Sequence, residues 1–218
     1  MCSTFLPIYA VTGSRAGFRW ATRKWAEGMA RGWGMKVNAH GVDRIDPNGT
    51  YVFMANHLSH VDIVALFVAL PMNVGFLAKK ELRRVPFLGQ AMVAGGHVFI
   101  DRGRRDRAVQ ALDDAAEQVA AGASIVVFPE GTRGGEERVQ PFKKGGFHLA
   151  RKANVSIVPI GIRGTYGIMT RDELVIHPGS VDVHIGDPVP PAAFPDADTL
   201  SDAVRARIGA LADMPLAG

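Results

Sequence analysis

Short apolar segments of four to eight residues alternate along the chain with longer segments of helical character. The strand candidates lie at 50–55, 73–78, 97–100, 124–128, 155–162 and, as a pair, within 174–185. The helix candidates lie at 60–70, 80–92, 104–121, 142–153 and 198–211. Strands with little internal alternation are covered on both faces, so this order predicts an α/β fold with a mixed, largely parallel sheet flanked by helices.

Two segments near the C-terminus depart from this pattern. Residues 179–189, GSVDVHIGDPV, alternate apolar and polar side chains, which predicts an antiparallel strand at an edge of the sheet. Residues 187–198 are rich in proline and predict a connector. A chain of 218 residues is long enough to bury one full core.

The N-terminal segment carries the whole positive excess of the chain. Residues 1–40 hold six Lys or Arg against one acidic residue, whereas the remainder holds 19 basic and 20 acidic residues. A helical wheel places a stripe on one side, formed by Phe18, Thr22, Trp25, Met29 and Trp33. A basic, Trp-rich segment of this kind predicts an amphipathic helix within residues 1–36 that contacts anionic lipid. The alternative is a helix docked on its own domain, and Trp20, on the far side, fits the stripe poorly.

The expected relation to a membrane is peripheral. No apolar run reaches the roughly 20 residues that a spanning helix needs, and the first residues lack the charged start of a secretory signal. We therefore expect the chain to lie on the cytoplasmic face of a membrane, without nucleic acid as a partner. The single cysteine, Cys2, excludes an internal disulfide and fits a reducing compartment.

Polar side chains follow four successive strand candidates at the point where each one ends. They are Asn56 and His57, then Lys79 and Lys80, then Asp101 and Arg102, and finally Glu130 and Arg133 of PEGTRGG. Open α/β sheets bind ligands at the carboxyl edge of their strands. The four positions together therefore predict one functional site at that edge.

His57 and Asp62 are candidates for a base and its orienting acid. A separation of five residues places two side chains about 140° apart on a continuous helix, so they meet only if His57 precedes the helix and Asp62 lies in its first turn. Ser59 followed by Asp62 resembles a capping box, with Ser59 at the N-cap and Asp62 at N3. Such a carboxylate can fix the imidazole tautomer and leave the other nitrogen as a general base. The alternative is that Asp62 only caps the helix and His57 is an ordinary loop histidine.

A metal site is a further alternative at the same residues, because His57 and His60 form an H-x-x-H pattern with Asp62 nearby. Zinc sites usually have a third ligand at better spacing, and no H-E-x-x-H occurs in the chain. We therefore expect no bound metal.

The segment FPEGTRGG, residues 128–135, predicts an anion-binding loop. Gly-rich loops expose backbone N–H groups, and the planar guanidinium of Arg133 suits a phosphate. Three more cations are candidates for the same anion: Lys79, Arg102 and Lys143. No Lys-Ser/Thr follows, so the loop is not a nucleotide P-loop. The alternatives are that 79–84 and 102–107 are solvated helix faces and that Glu130 only braces Arg133.

Taken together, these segments resemble the glycerolipid acyltransferases of phospholipid synthesis, of the 1-acylglycerol-3-phosphate acyltransferase type. The stretch NHLSHVD resembles the family's N-H-x-S-x-x-D block, which contains its HX4D motif. GGHVFIDR, FPEGTR and VSIVPIGI resemble the second, third and fourth blocks, in the same order. LAKKEL and PFLG also match in place, and the resemblance covers roughly residues 37–190.

The resemblance implies an O-acyltransferase domain at 37–218, with His57 as general base and Asp62 as its orienting acid. It implies that Pro159 lines the acyl-donor region, and that acyl-CoA or acyl-carrier protein is the co-substrate, with no other cofactor. It implies phosphate binding by Glu130, Gly131, Thr132 and Arg133, assisted by Lys79 and Arg102. Gly134 and Gly135 depart from the polar residues common in the family, which bears on the acceptor.

The residues fit this chemistry independently. A neutral imidazole held by a carboxylate can take a proton from a hydroxyl as that hydroxyl attacks a thioester. The expected reaction transfers a fatty acyl group to lysophosphatidic acid and gives phosphatidic acid. Glycerol-3-phosphate and lyso-ornithine lipid are alternative acceptors. A non-catalytic lipid-phosphate binding module and a metal-dependent lipid hydrolase are alternative functions.

Overall fold

The computed structural model describes residues 15–101, 103–134, 138–170 and 175–218. Its strands are β1 (Met35–His40), β2 (Val52–Ala55), β3 (Val74–Lys79), β4 (Val98–Ile100), β5 (Ser124–Val127), β6 (Ile157–Arg163) and β7 (Gly179–Ile185). Its α-helices are α1 (Arg15–Gly32), α2 (Asp62–Ala69), α3 (Leu88–Ala94), α4 (Arg105–Ala120), α5 (Gly145–Ala153), α6 (Thr165–Ile168) and α7 (Ala197–Ala212). Short 3-10 helices occupy Val42–Arg44, Lys80–Arg84 and Pro191–Ala193.

The strands form one sheet in the order β1-β7-β6-β2-β5-β3-β4. Neighbouring strands are parallel except for β6 and β7, which are antiparallel. The predicted α/β fold with a mixed, largely parallel sheet is therefore confirmed. The strand predicted from 179–189 is antiparallel to β6 but is not at an edge, because β1 pairs with its outer side.

Both faces of the sheet are covered by helices. Side chains of β2 alternate between two buried clusters: Phe53 and Ala55 pack with α1 and α2, whereas Val52 and Met54 pack with α4, α5 and α7. A strand buried on both faces needs apolar residues at every position, which explains the unbroken apolar run. The carboxyl ends of β2, β5, β3 and β4 lie side by side, so the residues that follow them meet at one edge.

Three elements differ from the sequence prediction. The strand β1 was not predicted, because only Met35 of its six residues is buried and the pattern carries little signal. The single helix predicted at 80–92 is instead a 3-10 turn followed by α3, divided by Pro86, which disfavours helical backbone in the residue before it. No strand forms at 175–177, while Leu174 lies outside the described residues.

The helix α1 docks on its own domain through the side that bears the tryptophan stripe. Trp25, Met29 and Trp33 pack against the core, and the rings of Trp25 and Phe67 form a T-shaped pair with centroids 6.4 Å apart. The side chain of Phe18 lies outside the described part of the chain. This arrangement is the docked-helix alternative, and lipid contact by α1 remains a prediction.

The outward side of α1 carries Trp20, whose side chain is 61% exposed. Arg23 and Lys24 are also exposed and both pair with Glu27. Of the helices that the structure describes, none combines the length and the apolar character needed to cross a bilayer.

Candidate active site

The carboxylate of Asp62 lies against the imidazole of His57, with Oδ2 2.8 Å from Nδ1. His57 lies in the loop after β2 and Asp62 is the first residue of α2, so the chain turns between them. The predicted contact is confirmed. The capping prediction was wrong: the helix begins two residues later than a cap at Ser59 requires, and its N-cap position is Val61, without a side-chain cap bond.

Asp62 organises the loop as well as the imidazole. Its Oδ2 also accepts the backbone N–H groups of Leu58 and Ser59 at 2.8 and 2.9 Å, and the side chain is fully buried. The Ser59 hydroxyl donates to the carbonyl oxygen of Met169 at 2.6 Å. Three donors around one oxygen compensate for burying the carboxylate. Since an ionised carboxylate only accepts hydrogen bonds, Nδ1 of His57 carries the proton and Nε2 is the basic nitrogen.

The His57 ring and backbone are held by residues that follow β5. The ring of Phe128 stacks on the imidazole, with centroids 3.9 Å apart and planes 14° from parallel. Glu130 accepts the backbone N–H of His57 at 2.8 Å, and the carbonyl of His57 accepts the N–H of Gly134 at 2.7 Å. Sequence reasoning did not assign Phe128 a role, because an aromatic residue ending an apolar strand is usually part of the core.

The carboxylate of Glu130 holds two backbone segments together by accepting N–H groups from both. It is buried, and its second oxygen accepts the N–H of Gln140 at 3.0 Å. Burial raises the pKa of Glu130, and the two N–H donors from His57 and Gln140 oppose that rise. Glu130 does not line the neighbouring groove, whereas Gly131, Thr132 and Arg133 do. Of the four residues of this block predicted to bind the phosphate, only the last three therefore line the groove.

Gly131 permits a tight turn in this loop. Its φ is +75°, its N–H donates to the Phe128 carbonyl at 3.0 Å, and a Cβ at this position would lie 2.7 Å from Nζ of Lys143. A residue with a side chain would pay about 1 kcal/mol for this backbone conformation. The turn brings Lys143, one of the predicted cations, to the loop. Arg102, another of them, lies outside the described residues.

Asn56 joins the two strands that flank the site. Its side chain is buried, its Nδ2 donates to the carbonyl of Ile162 at 2.9 Å, and its Oδ1 accepts the N–H of Ile162 at 2.8 Å. The amide thus continues the pairing of β2 and β6 beyond the end of β2, and fixes where the His57 loop starts. Sequence reasoning noted Asn56 without this role, because its partner is 106 residues away.

A groove of about 1020 Å³ opens beside His57. Arg133 and Lys79 line it together with His57, which brings the predicted base and two predicted cations to one surface. Its remaining wall is mostly apolar and includes Phe67, Phe76, Leu82, Leu88, Met92 and Ile100. Pro159 does not line it, since this residue is buried in β6 with Met54 as its register partner. A cationic surface beside an apolar groove suits a ligand with a phosphate and a long hydrocarbon chain.

His60 also lines this groove but does not complete a metal site. Burial, followed by the positive charge of Arg133, lowers the pKa of His60, so the ring is neutral at neutral pH. Within the described ranges, no group of three His, Cys, Asp or Glu side chains is arranged to hold a metal ion.

Comparison with known proteins identifies the family. The family model described as Acyltransferase matches residues 36–163. The chain belongs to the acyltransferase family. It is 35% identical over 173 residues to a 1-acyl-sn-glycerol-3-phosphate acyltransferase of Chlamydomonas reinhardtii and 33% identical over 176 residues to the alpha enzyme of that name from Homo sapiens. Each alignment covers 79% of this chain but only 51% and 62% of the respective relative, so this chain spans between half and two thirds of their length.

A solved structure shares the fold of this chain. The 1-acyl-sn-glycerophosphate acyltransferase PlsC of Thermotoga maritima superposes with a TM-score of 0.86 at 27% identity, over 97% of this chain and 86% of that one. The family and the fold expected from the sequence blocks are therefore confirmed for this chain.

Proposed function

We propose that this acyltransferase moves a fatty acyl group from acyl-CoA or acyl-carrier protein to the free hydroxyl of lysophosphatidic acid, giving phosphatidic acid. The observation that carries the proposal is the 2.8 Å bond between Nδ1 of His57 and Oδ2 of Asp62, beside a groove that Arg133 and Lys79 also line. The catalytic roles of His57 and Asp62 are part of the proposal.

The reaction needs a base that removes the proton of the acceptor alcohol and an acid that protonates the leaving thiolate. As the acceptor hydroxyl attacks the thioester carbonyl carbon, its proton passes to Nε2 of His57. The tetrahedral intermediate collapses, the C–S bond breaks, and the leaving sulfur takes the proton from the imidazolium. Asp62 stabilises the transient imidazolium, as the acid does in a Ser-His-Asp triad whose serine is replaced by the substrate hydroxyl. No covalent enzyme intermediate and no cofactor enter this scheme.

The charges at the groove and the names of the relatives support lysophosphatidic acid as the acceptor. Arg133 provides a bidentate donor for a phosphate, with the backbone at Gly131 and Thr132 and the ammonium of Lys79 as further contacts. Arg102, from the second sequence block, is proposed as an additional contact. Binding the phosphate holds the hydroxyl at the base. Such orientation can lower an activation barrier by several kcal/mol, and by about 7–11 kcal/mol in the best cases. The named relatives are 1-acylglycerol-3-phosphate acyltransferases, which favours lysophosphatidic acid over other acceptors.

Lipid substrates require a membrane surface, which we propose the protein contacts peripherally on its cytoplasmic face. The N-terminal segment within 1–36 is proposed to associate with anionic lipid, with Trp20 as its exposed ring. The apolar wall of the groove is proposed to hold the acyl chain, since burying hydrocarbon contributes about 0.8 kcal/mol per CH₂.

The test is release of free CoA thiol together with formation of phosphatidic acid by the purified chain. His57→Ala should lower turnover at least 100-fold, in the range expected for loss of a general base, about 10²- to 10⁴-fold. His148→Ala, at an exposed histidine of α5, is the matched control and should keep full turnover. Lipid binding without thiol release would instead identify a binding module, and retained turnover in His57→Ala would refute the mechanism. Parallel assays with glycerol-3-phosphate and lyso-ornithine lipid test the acceptor.

A further inference from the structure

The segment 80–93, here called the strip, exposes an unusual amount of apolar surface. Among the described residues, eight large hydrophobic side chains are exposed, and four of them lie in the strip: Leu82, Val85, Phe87 and Val93, at 38%, 41%, 56% and 51%. Every residue from 80 to 87 is exposed. Isolated exposed apolar residues are common, but such a concentration marks an interaction surface.

The strip is apolar on two sides. Leu88, Ala91 and Met92 line the groove that contains His57, whereas Val85 and Phe87 are exposed without lining it. The strip therefore presents apolar side chains both to the groove and to the outside. Apolar side chains on the outer side of the strip are unfavourable in water, and moving them into an apolar environment lowers the free energy.

The backbone of the strip holds Phe87 in a strained conformation. Its φ is +63°, a region that costs a residue with a side chain about 1–2 kcal/mol. The turn is packed tightly: the N–H of Gly89 donates to the Val85 carbonyl at 2.9 Å, and a Cβ on Gly89 would lie 2.1 Å from the Arg83 carbonyl oxygen. A strained backbone that leaves a large aromatic ring more than half exposed indicates that the ring serves a function there.

The strip is basic next to its apolar residues. It carries three exposed cations, Lys80, Arg83 and Arg84, against one acid, Glu81. Lys80 pairs with Asp101 at 2.6 Å, while no carboxylate of the described residues pairs with Arg83 or Arg84. The strip thus offers two arginines to an anionic partner.

We propose that the strip is a membrane-docking surface, in which Val85, Phe87 and Val93 enter the headgroup region of an anionic bilayer and Arg83 and Arg84 contact lipid phosphates. Aromatic and aliphatic side chains flanked by Lys and Arg are typical of segments that lie in the bilayer interface. An acidic carrier protein would use the cations but gains less from a protruding aromatic ring. The inference rests on the proposed function in one respect: the lipid acceptor would pass from this bilayer into the groove behind the strip.

Vesicle sedimentation of the full chain tests the surface without using catalysis. The probes are vesicles of phosphatidylcholine alone and vesicles in which one third is phosphatidylglycerol. Phe87→Gly removes the ring and relieves the positive φ, so it should lower partitioning to the anionic vesicles at least fivefold without lowering unfolding stability. Val85→Asp combined with Phe87→Asp should lower it at least tenfold. Val109→Asp, at a residue of α4 that is 52% exposed, is the matched control and should bind as the wild type does.

Charge and catalysis supply the second readout. Arg83→Gln combined with Arg84→Gln should remove most of the difference between the two vesicle types. Turnover of a short-chain, water-soluble donor and acceptor should stay within twofold in all strip variants, because none of the altered residues lines the groove.

Unchanged partitioning of the Val85 and Phe87 variants, or an equal loss in the Val109 control, would overturn the proposal. Normal vesicle binding with a lower kcat/KM only for acyl-carrier protein would also overturn it and would identify a protein-docking surface. Retained turnover in His57→Ala would refute the proposed function and leave the vesicle result unaffected, so the two failures are distinguishable.

Discussion

The rings of Phe128 and His57 stack with their centroids 3.9 Å apart and their planes 14° from parallel. Phe128 follows β5 and His57 follows β2, and these strands are parallel neighbours, so the sheet brings the two residues together. The bond to Asp62 fixes the edge of the imidazole, and the stack fixes its plane. Two perpendicular restraints on one ring are what a base needs if its free nitrogen is to face a substrate.

Removal of the stacking partner should therefore affect turnover more than folding. In Phe128→Leu we expect kcat to fall about 10- to 100-fold, because small misplacements of a catalytic group are costly. The apolar wall of the groove is largely kept by leucine. Phe142→Leu, at a partly buried ring packed on the opposite face of the sheet, is the control. A kcat within twofold of wild type would show that the bond to Asp62 alone orients the ring.

Asp62→Asn removes the negative charge of this side chain and keeps its size and shape. The oxygen of asparagine can occupy the Oδ2 position and accept from Leu58, Ser59 and His57, while its amide nitrogen takes the position of Oδ1, which has no hydrogen-bond partner among the described residues. The fold should survive, but the imidazolium loses its counter-charge, so we expect kcat to fall about 10²- to 10⁴-fold. Single-turnover kinetics measure this directly, with thermal unfolding as the check on folding. Wild-type turnover would mean that Asp62 has only a structural role.

Arg133 should act mainly on binding of the phosphate. Arg133→Ala is expected to raise the KM for lysophosphatidic acid about tenfold or more, equivalent to about 1.4 kcal/mol or more of lost interaction, with Arg133→Lys intermediate because it loses the bidentate geometry. Arg207→Ala, at an exposed arginine of α7, is the control. The assay is KM against kcat for acceptors with and without the phosphate. An equal change for both acceptors would exclude phosphate recognition by this residue.

His97 should make stability depend on pH. Its Nδ1 accepts the N–H of Phe76 at 3.2 Å, and burial lowers the pKa of His97 to about 4. The unfolded chain binds this proton with a pKa near 6.5, so the stabilising contribution is complete above about pH 6.5 and is lost as the pH falls towards 4. The expected loss is about 2 kcal/mol between pH 7 and pH 5.

Comparison with a non-titrating variant isolates this effect. His97→Asn keeps an acceptor for Phe76 but removes the titration, so its unfolding free energy should fall about 2 kcal/mol less than that of the wild type over this interval. Denaturant unfolding at the two pH values measures the difference, with His148→Asn as the exposed control. Parallel pH profiles for wild type and His97→Asn would contradict the buried neutral state.

The fold class and several parts of the site could be predicted from the sequence because they depend on short segments of the chain. The unbroken apolar runs and the helical segments between them predicted the layered α/β fold, since burial on both faces imposes that composition. The blocks around His57 and Arg133 predicted their meeting, because each follows a parallel strand and such ends share one edge of the sheet. The five-residue spacing of His57 and Asp62 already required a turn between them.

Other features depend on which distant segments become neighbours. The bond of Asn56 to Ile162, the Glu130 brace on the His57 backbone and the Phe128 stack all depend on the order β6-β2-β5. The side chains of one segment do not indicate which strands will become its neighbours in the sheet. The half-exposed β1 likewise gains its strand conformation from pairing with β7 rather than from its own pattern.

For this protein, the sequence by itself determined the α/β class, the family and the residues that meet around His57. Each of these follows from the pattern of apolar positions or from motifs a few residues long. Only the tertiary structure decided that the tryptophan stripe of α1 faces the domain, that Glu130 braces a backbone, and that the strip at 80–93 exposes its apolar side chains. These depend on strand order and on the competition among surfaces for burial, and both are properties of the folded chain as a whole.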